Sequence, residues 1–315
     1  MSDLPSASGA ARSGPPMPDE RHAQMMRRAT YASVSVAAIL IVTKFIVWRM
    51  SGSVALLSSL LDSTLDIFAS MISLFAVRHA LMPADREHRF GHGKAEALAA
   101  LGQSLVVGGA AILLVWEAAQ RIFDPTPIKA EYWAVAVMVL SLVLTIVLVR
   151  YQRKVARETG SVAIAADSLH YVTDVMVNAG IVVGLLAVAV LDWRLVDPFI
   201  AICVAAYLTY AAWQIARSSL DMLMDREFDD DKRARIREIA LLHPEVRAIH
   251  DLRTRSSGMH SFIQFHLELD GDIPLTRAHK IADEVEDLIA KEFTGAEILI
   301  HQDPAGLEEE RPSFA

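Results

Sequence analysis

The sequence predicts an all-α membrane domain of six transmembrane helices followed by a small soluble α+β domain, and three observations carry that prediction. Of the 315 residues, 53% are hydrophobic, and the mean hydropathy is +0.33, too apolar for one water-soluble globule. Six apolar runs lie between about residues 30 and 215, each long enough to cross a bilayer, which takes roughly 20 residues, the longer ones with some tilt. Beyond Arg226 the pattern turns to short alternating and amphipathic stretches in the order αββαβ.

Residues 1–27 precede the first run. They are rich in Ser, Ala, Gly and Pro up to about residue 20, so this tail is expected to be disordered. It has no short apolar core followed by a cleavage site and does not read as a secretory signal. The apolar runs cover 30–48, 54–77, 98–123, 133–149, 161–191 and 198–215. Each must be a helix, because lipid offers backbone groups no partner. Lys and Arg set the orientation. Arg21, Arg27 and Arg28 precede the first run, and Arg78, Arg86, Arg89 and Lys94 follow the second. Arg150, Arg153, Lys154 and Arg157 follow the fourth, and Arg217, Arg226, Lys232, Arg233 and Arg235 follow the sixth. The opposite loops hold only Arg49, Arg121, Lys129 and Arg194. Both termini are therefore expected in the cytoplasm, with the membrane domain over 28–225. Lys44 lies inside the first run and is expected to snorkel along its alkyl stem, with a role in an ion path as the alternative.

The soluble domain is expected over 226–304. Its elements are a helix at 229–242 opened by acidic residues, a strand at 246–255, a turn at Ser256-Ser257-Gly258 and a strand at 260–269. A second helix at 274–293 follows, with Ile281, Val285, Leu288 and Ile289 as its apolar stripe, and then a strand at 296–301. That order suggests a small sheet with helices on one face. The polar tail 305–315 is expected to be mobile.

Composition excludes several classes. One cysteine, Cys203, rules out a disulfide framework within the chain and any thiolate metal cage. A net charge of −8 argues against a nucleic-acid partner. The histidines are more informative, because His79, His88 and His92 cluster between the second and third runs and six more fall in the last quarter of the chain.

Three constellations could hold a metal. Asp62 and Asp66 in the second run, and His170 and Asp174 in the fifth, are each four apart and so share a helix face. Ionisable groups at mid-membrane cost at least ~2.5 kcal/mol each and mark ion or proton paths; the blander reading is a polar contact gluing two helices. Two such pairs on facing helices supply three carboxylates and one imidazole. That set suits zinc, ferrous iron, cobalt, cadmium or manganese, whereas a magnesium site would not need the imidazole. Asp85, His88 and His92 have spacings of three and four, compatible with a turn around an ion or with a solvated charged loop. In the soluble domain, His301 and Asp303 share one side of a strand end. With His250, His266 and His279 they could gather at one end of the sheet.

Taken together, these stretches resemble the cation diffusion facilitator family. The matching residues are Leu60-Leu61-Asp62-Ser63-Thr64-Leu65-Asp66, Phe90-Gly91-His92-Gly93-Lys94-Ala95-Glu96 and Ala166-Asp167-Ser168-Leu169-His170-Tyr171-Val172-Thr173-Asp174, with His250-Asp251-Leu252-Arg253-Thr254-Arg255 and His301-Gln302-Asp303-Pro304. The nearest branch is the bacterial ferrous-iron and zinc efflux pumps, and the resemblance runs from about Arg28 to Pro304. It implies a homodimeric antiporter in the inner membrane that exports divalent metal in exchange for protons. Asp62, Asp66, His170 and Asp174 match the transport site. Asp85, His88 and His92 match a loop site. His250, His266, His279, His301 and Asp303 match a two-metal site in a ferredoxin-like, copper-chaperone-like cytoplasmic domain through which two copies pack. Lys94 and Asp225 match a charged pair near the membrane face. His170 stands where manganese transporters of the family typically have aspartate, so zinc or ferrous iron is the expected cargo, with cadmium, cobalt and a manganese-preferring pump as alternatives.

Two other functions compete. An intramembrane metalloprotease needs an open coordination position and a general base; the chain has no His-Glu-x-x-His, and no enzyme activity is expected. A membrane metal sensor would not need ligands at mid-membrane.

Overall fold

The computed structural model describes residues 19–51, 54–123, 132–191 and 196–306. Residues 1–18 and 307–315, where tails were expected, lie outside the described residues. Six long helices come first: α1 (Glu20–Ser51), α2 (Val54–Ala80), α3 (Lys94–Phe123), α4 (Tyr132–Thr159), α5 (Val162–Leu191) and α6 (Val196–Leu223). Then come α7 (Asp230–Ala240), β1 (Ala248–Ser257), β2 (His260–Leu269), α8 (Leu275–Glu292) and β3 (Ala296–Pro304). They form two compact units. The helical unit holds residues 19–81 and 93–224, and the second unit holds 82–92 together with 225–306.

Helix ends follow capping chemistry rather than the edges of apolar runs. Asp19 Oδ1 accepts a hydrogen bond from Arg21 N at 3.0 Å, so α1 starts at Glu20. Residues 20–27, expected in the tail, are therefore its first turns, and Met26 is fully buried there. α4 runs on past its apolar run to Thr159, where Gly160 at φ +70° ends it. Ser161 Oγ then accepts from Ile164 N and caps α5, while donating to Glu96 Oε2 of α3 at 2.6 Å.

The helical unit is apolar outside and polar within. Leu65, Phe68, Phe75, Leu98, Leu105, Leu113, Trp116, Phe199 and Trp213 are exposed, while Ser33, Ser70, Ser73, Thr145, Gln152 and Asp167 are buried. A soluble protein arranges these residues the other way round. Among the described residues, three helices (Glu20–Met50, Lys94–Gln120 and Phe199–Leu223) are long and apolar enough to cross a membrane. Between helices, hydroxyls and amides replace the hydrophobic effect as the source of specific contact. Ser33 Oγ donates to Asp167 Oδ2 at 2.7 Å, and Gln152 Nε2 donates to the same oxygen. Ser33 has one proton, so in its 2.7 Å contact with Ser70 it accepts. Ser70 in turn accepts from the Tyr171 hydroxyl at 2.8 Å. The result is a directed chain from Tyr171 through two serines to Asp167, tying α1, α2, α4 and α5.

In the second unit the sheet order is β1-β2-β3, with β1 antiparallel and β3 parallel to β2. α7 and α8 cover one face. Ile236, Ile239, Ile281, Val285 and Ile289 pack against Leu252, Ile263, Phe265, Leu267 and Leu269, all buried. The alternate residues of β2, including Gln264, His266 and Glu268, face the other way and are half-buried. The turn expected at Ser256-Ser257-Gly258 lies further on. Ser257 still pairs with His260, and the reversal is made by Gly258, at φ +62°, and Met259, the two-residue loop that suits a twisted hairpin.

Candidate metal centres

Among the described residues, three groups place ligand atoms of three side chains within 4.8 Å of one another. The first is Asp66 on α2 with His170 and Asp174 on α5. α2 and α5 are neighbours, and the four-residue spacing aims both α5 ligands at Asp66. His170 Nε2 lies 3.0 Å from Asp66 Oδ1, with side-chain exposures of only 16% and 10%. Asp62, four residues along α2, is exposed and is not drawn into this group.

Lys44 departs from its expected snorkelling. It is 8% exposed, and its ammonium turns toward α2, donating to Ser63 Oγ at 2.6 Å and to the Ser59 carbonyl at 3.1 Å. A buried acceptor pair holds it more favourably than a path out through apolar side chains.

The second group, Asp85, His88 and His92, lies in the 82–92 segment. Asp85 Oδ1 accepts from the backbone N–H groups of His88 (2.6 Å) and Glu87 (2.9 Å). Those amides, the His88 amide above all, hold its carboxyl below the usual range. Its other oxygen lies 3.2 Å from Nε2 of the buried His92. Gly91, at φ +80°, lets the chain reverse so that His92 points inward. The segment is anchored within its unit by an arrangement the sequence did not announce. The Arg255 guanidinium sits 4.6 Å from the Phe90 ring centre and 4.5 Å from that of Phe262. Phe90, an exposed aromatic in a charged loop, was the available signal. Of the expected charged pair, Lys94 donates to the Leu223 carbonyl and Asp225 pairs with Arg255 at 3.4 Å.

The third group centres on Asp303 and is built by strand register. His250 pairs with His266 across β1 and β2, and His266 with His301 across β2 and β3, so three imidazoles stand abreast. Asp303, two residues beyond His301, reaches all of them: His266 Nδ1 at 2.7 Å, His301 Nε2 at 3.1 Å and His250 Nε2 at 3.2 Å. The register depends on a β-bulge between His250 and Arg253, with Asp251 in a left-handed conformation at φ +47°. Sequence reading missed Glu268, whose Oε1 lies 2.9 Å from His250 Nδ1, although its alternation with His266 placed it on that face. His279 is elsewhere, on the exposed face of α8, 3.8 Å from Asp283. Imidazole with carboxylate at these separations fits a divalent metal, with Asp303 able to serve more than one ion.

The chain is similar to known proteins over nearly its whole length. Residues 30–224 match the cation efflux transmembrane domain, and residues 228–305 match the cation efflux protein cytoplasmic domain. The cation-efflux pump FieF of Serratia proteamaculans is 41% identical over 289 residues, covering 92% of this chain and 96% of that protein. The pump of the same name from Citrobacter koseri gives the same figures. The metal-bound C-terminal domain of the CzcD transporter from Thermotoga maritima is 28% identical, covering 25% of this chain and 93% of that one, with a TM-score of 0.24. These relatives are transporters, not enzymes. With both domain types matched in sequence order and close relatives spanning nearly its whole length, the chain belongs to the cation diffusion facilitator family.

Proposed function

We propose that this chain exports divalent metal cations from the bacterial cytoplasm by proton-coupled antiport. It works as a homodimer of six-span protomers in the inner membrane, with both termini cytoplasmic. The cargo is zinc or ferrous iron, with cadmium and cobalt within the same donor preference. The transport domain covers 28–225, lengthened by the first turns of α1, and the ferredoxin-like cytoplasmic domain covers 226–304.

The observation that carries the proposal is the 3.0 Å contact between His170 Nε2 and Asp66 Oδ1. Two such atoms approach this closely only with a hydrogen between them, whichever one holds it. A metal ligated by both must displace that hydrogen, which leaves as a proton when the imidazole is charged or Asp66 is protonated and otherwise passes to Nδ1, and protonation of the site in turn expels the metal. Asp174 completes the described group, and Asp62 closes in as fourth ligand when α2 and α5 shift. Rocking of the helices around the site then exposes it to each side in turn. Asp85, His88 and His92 form an auxiliary loop site. His250, His266, His301 and Asp303, with His279 approaching from α8, hold resident metal in the cytoplasmic domain. There the ion neutralises Asp303 and links three strands.

Liposomes loaded with a pH dye test this. With zinc, ferrous iron, manganese and cadmium gradients imposed in parallel, zinc or iron flux should drive protons the opposite way. Metal flux with no proton signal between about pH 5.5 and 8, around the ordinary imidazole value, leaves uniport as the mechanism.

A further inference from the structure

We propose that Lys44 is a tethered counter-cation of the membrane metal site, placed to weaken metal binding so that cargo can leave. This rests on the reading of Asp66, His170 and Asp174 as the transport site.

Ser59, Ser63 and Asp66 are spaced four and three apart on α2 and so share one face. The Lys44 ammonium donates to Ser63 Oγ and to the Ser59 carbonyl, which puts a positive charge one turn from Asp66. Asp66, Asp174 and Asp62 all act on it electrostatically. Two neutral acceptors do not repay the burial of an ammonium, a penalty of several kcal/mol. The neighbouring carboxylates offset part of that penalty. The relation is reciprocal. A cation that the carboxylates hold in place reduces the charge they present to a divalent ion. Transport needs that balance, because a site that binds too firmly does not release.

Removing the charge should therefore tighten binding and slow turnover. In full-length protein in liposomes, Lys44→Gln keeps a donor near Ser63 and loses the charge. Its zinc Kd should fall at least about tenfold, a floor well below what one unit charge exerts a few ångström away at an effective dielectric of about 20. KM and kcat for zinc efflux should fall together. Lys44→Arg should bind zinc as the parent does. In an Asp66→Ala background, Lys44→Gln should no longer change zinc affinity. If Lys44→Gln does not assemble, Lys44→Met gives the same reading. A role limited to packing would lower thermal stability and leave Kd unchanged, and that result in either variant overturns the proposal. Zinc binding and flux in Asp66→Ala equal to the parent would instead refute the transport-site reading itself.

Discussion

Asp66, His170 and Asp174 sit on two helices, whereas His250, His266, His301 and Asp303 sit on three adjacent strands. The donor chemistry is nearly the same, and the scaffolds differ in what they permit. α2 and α5 meet only through side chains, so either can shift against the other without breaking a backbone hydrogen bond. The three strands are held in register by ladder bonds over an apolar core, and their imidazoles cannot part without unpairing the sheet. A site that must load and empty belongs on the first scaffold. A site that must keep its ion belongs on the second.

The comparison breaks most sharply if the membrane site can be lost without loss of flux. Asp66→Ala should lower zinc efflux from liposomes by at least about 100-fold, because even outer-shell partners of a metal cost 10–100-fold. Asp303→Ala should act on stability instead. Zinc at about 100 times its Kd stabilises a folded protein by about 2.7 kcal/mol. Thermal melts of the full chain should show that upward shift for the parent and little of it for Asp303→Ala. A shift of equal size in both would show that the sheet cluster is not the resident site. The loop group should stand between the two. Arg86 and Arg89 oppose a cation there, and His88→Ala should cut efflux by less than about tenfold, under ~1.4 kcal/mol. Flux as low as in Asp66→Ala would move the loop onto the obligatory path.

The smallest effect concerns the soluble scaffold alone. Hydrogen bonds from Arg235 to Glu292, from Arg277 to Glu245 and from His243 to Glu284 hold all three carboxyls below the usual range. Carboxyls depressed in the folded state add stability that is complete above their ordinary value and is lost as pH falls through the folded one. All three are solvent-facing, so the contribution is small. Melting temperature of the sheet unit should decline gently below about pH 4. In Glu292→Gln that decline should be shallower, and an identical acid profile would remove Glu292 from the account.

Much of this was legible in the chain. The paired spacings at 62/66 and 170/174 pointed to α2 and α5, where Asp66, His170 and Asp174, though not Asp62, come together, and the alternation in β2 correctly separated Ile263, Phe265 and Leu267 from Gln264 and His266. What escaped sequence reading depended on partners distant in the chain. Lys44 turns inward toward Ser59, Ser63 and the carboxylates near them. Asp62 and His279 share their helices with candidate or charged residues, yet a spacing rule does not say which helix face is covered. Segment 82–92 groups with residues 225–306, more than a hundred positions downstream. The Asp251 bulge, which keeps three histidines abreast, needs a backbone conformation that no local pattern specifies.

The hydroxyl chain ending on Asp167 bears on how the protein is made. A bare carboxylate adds to the free energy of an inserting helix entering lipid, by up to about 2.5–3.5 kcal/mol at the helix centre, and Asp167 lies in the second turn of α5. The groups that tend Asp167 from outside α5 come earlier in synthesis: Ser33 on α1, Ser73 and, through Ser33, Ser70 on α2, and Gln152 on α4. By the time α5 leaves the ribosome, the helices that receive its carboxyl have already been delivered to the membrane. Only Tyr171, on α5 itself, arrives with it. The order of the helices along the gene thus puts partners for Asp167 in the membrane before α5 enters it.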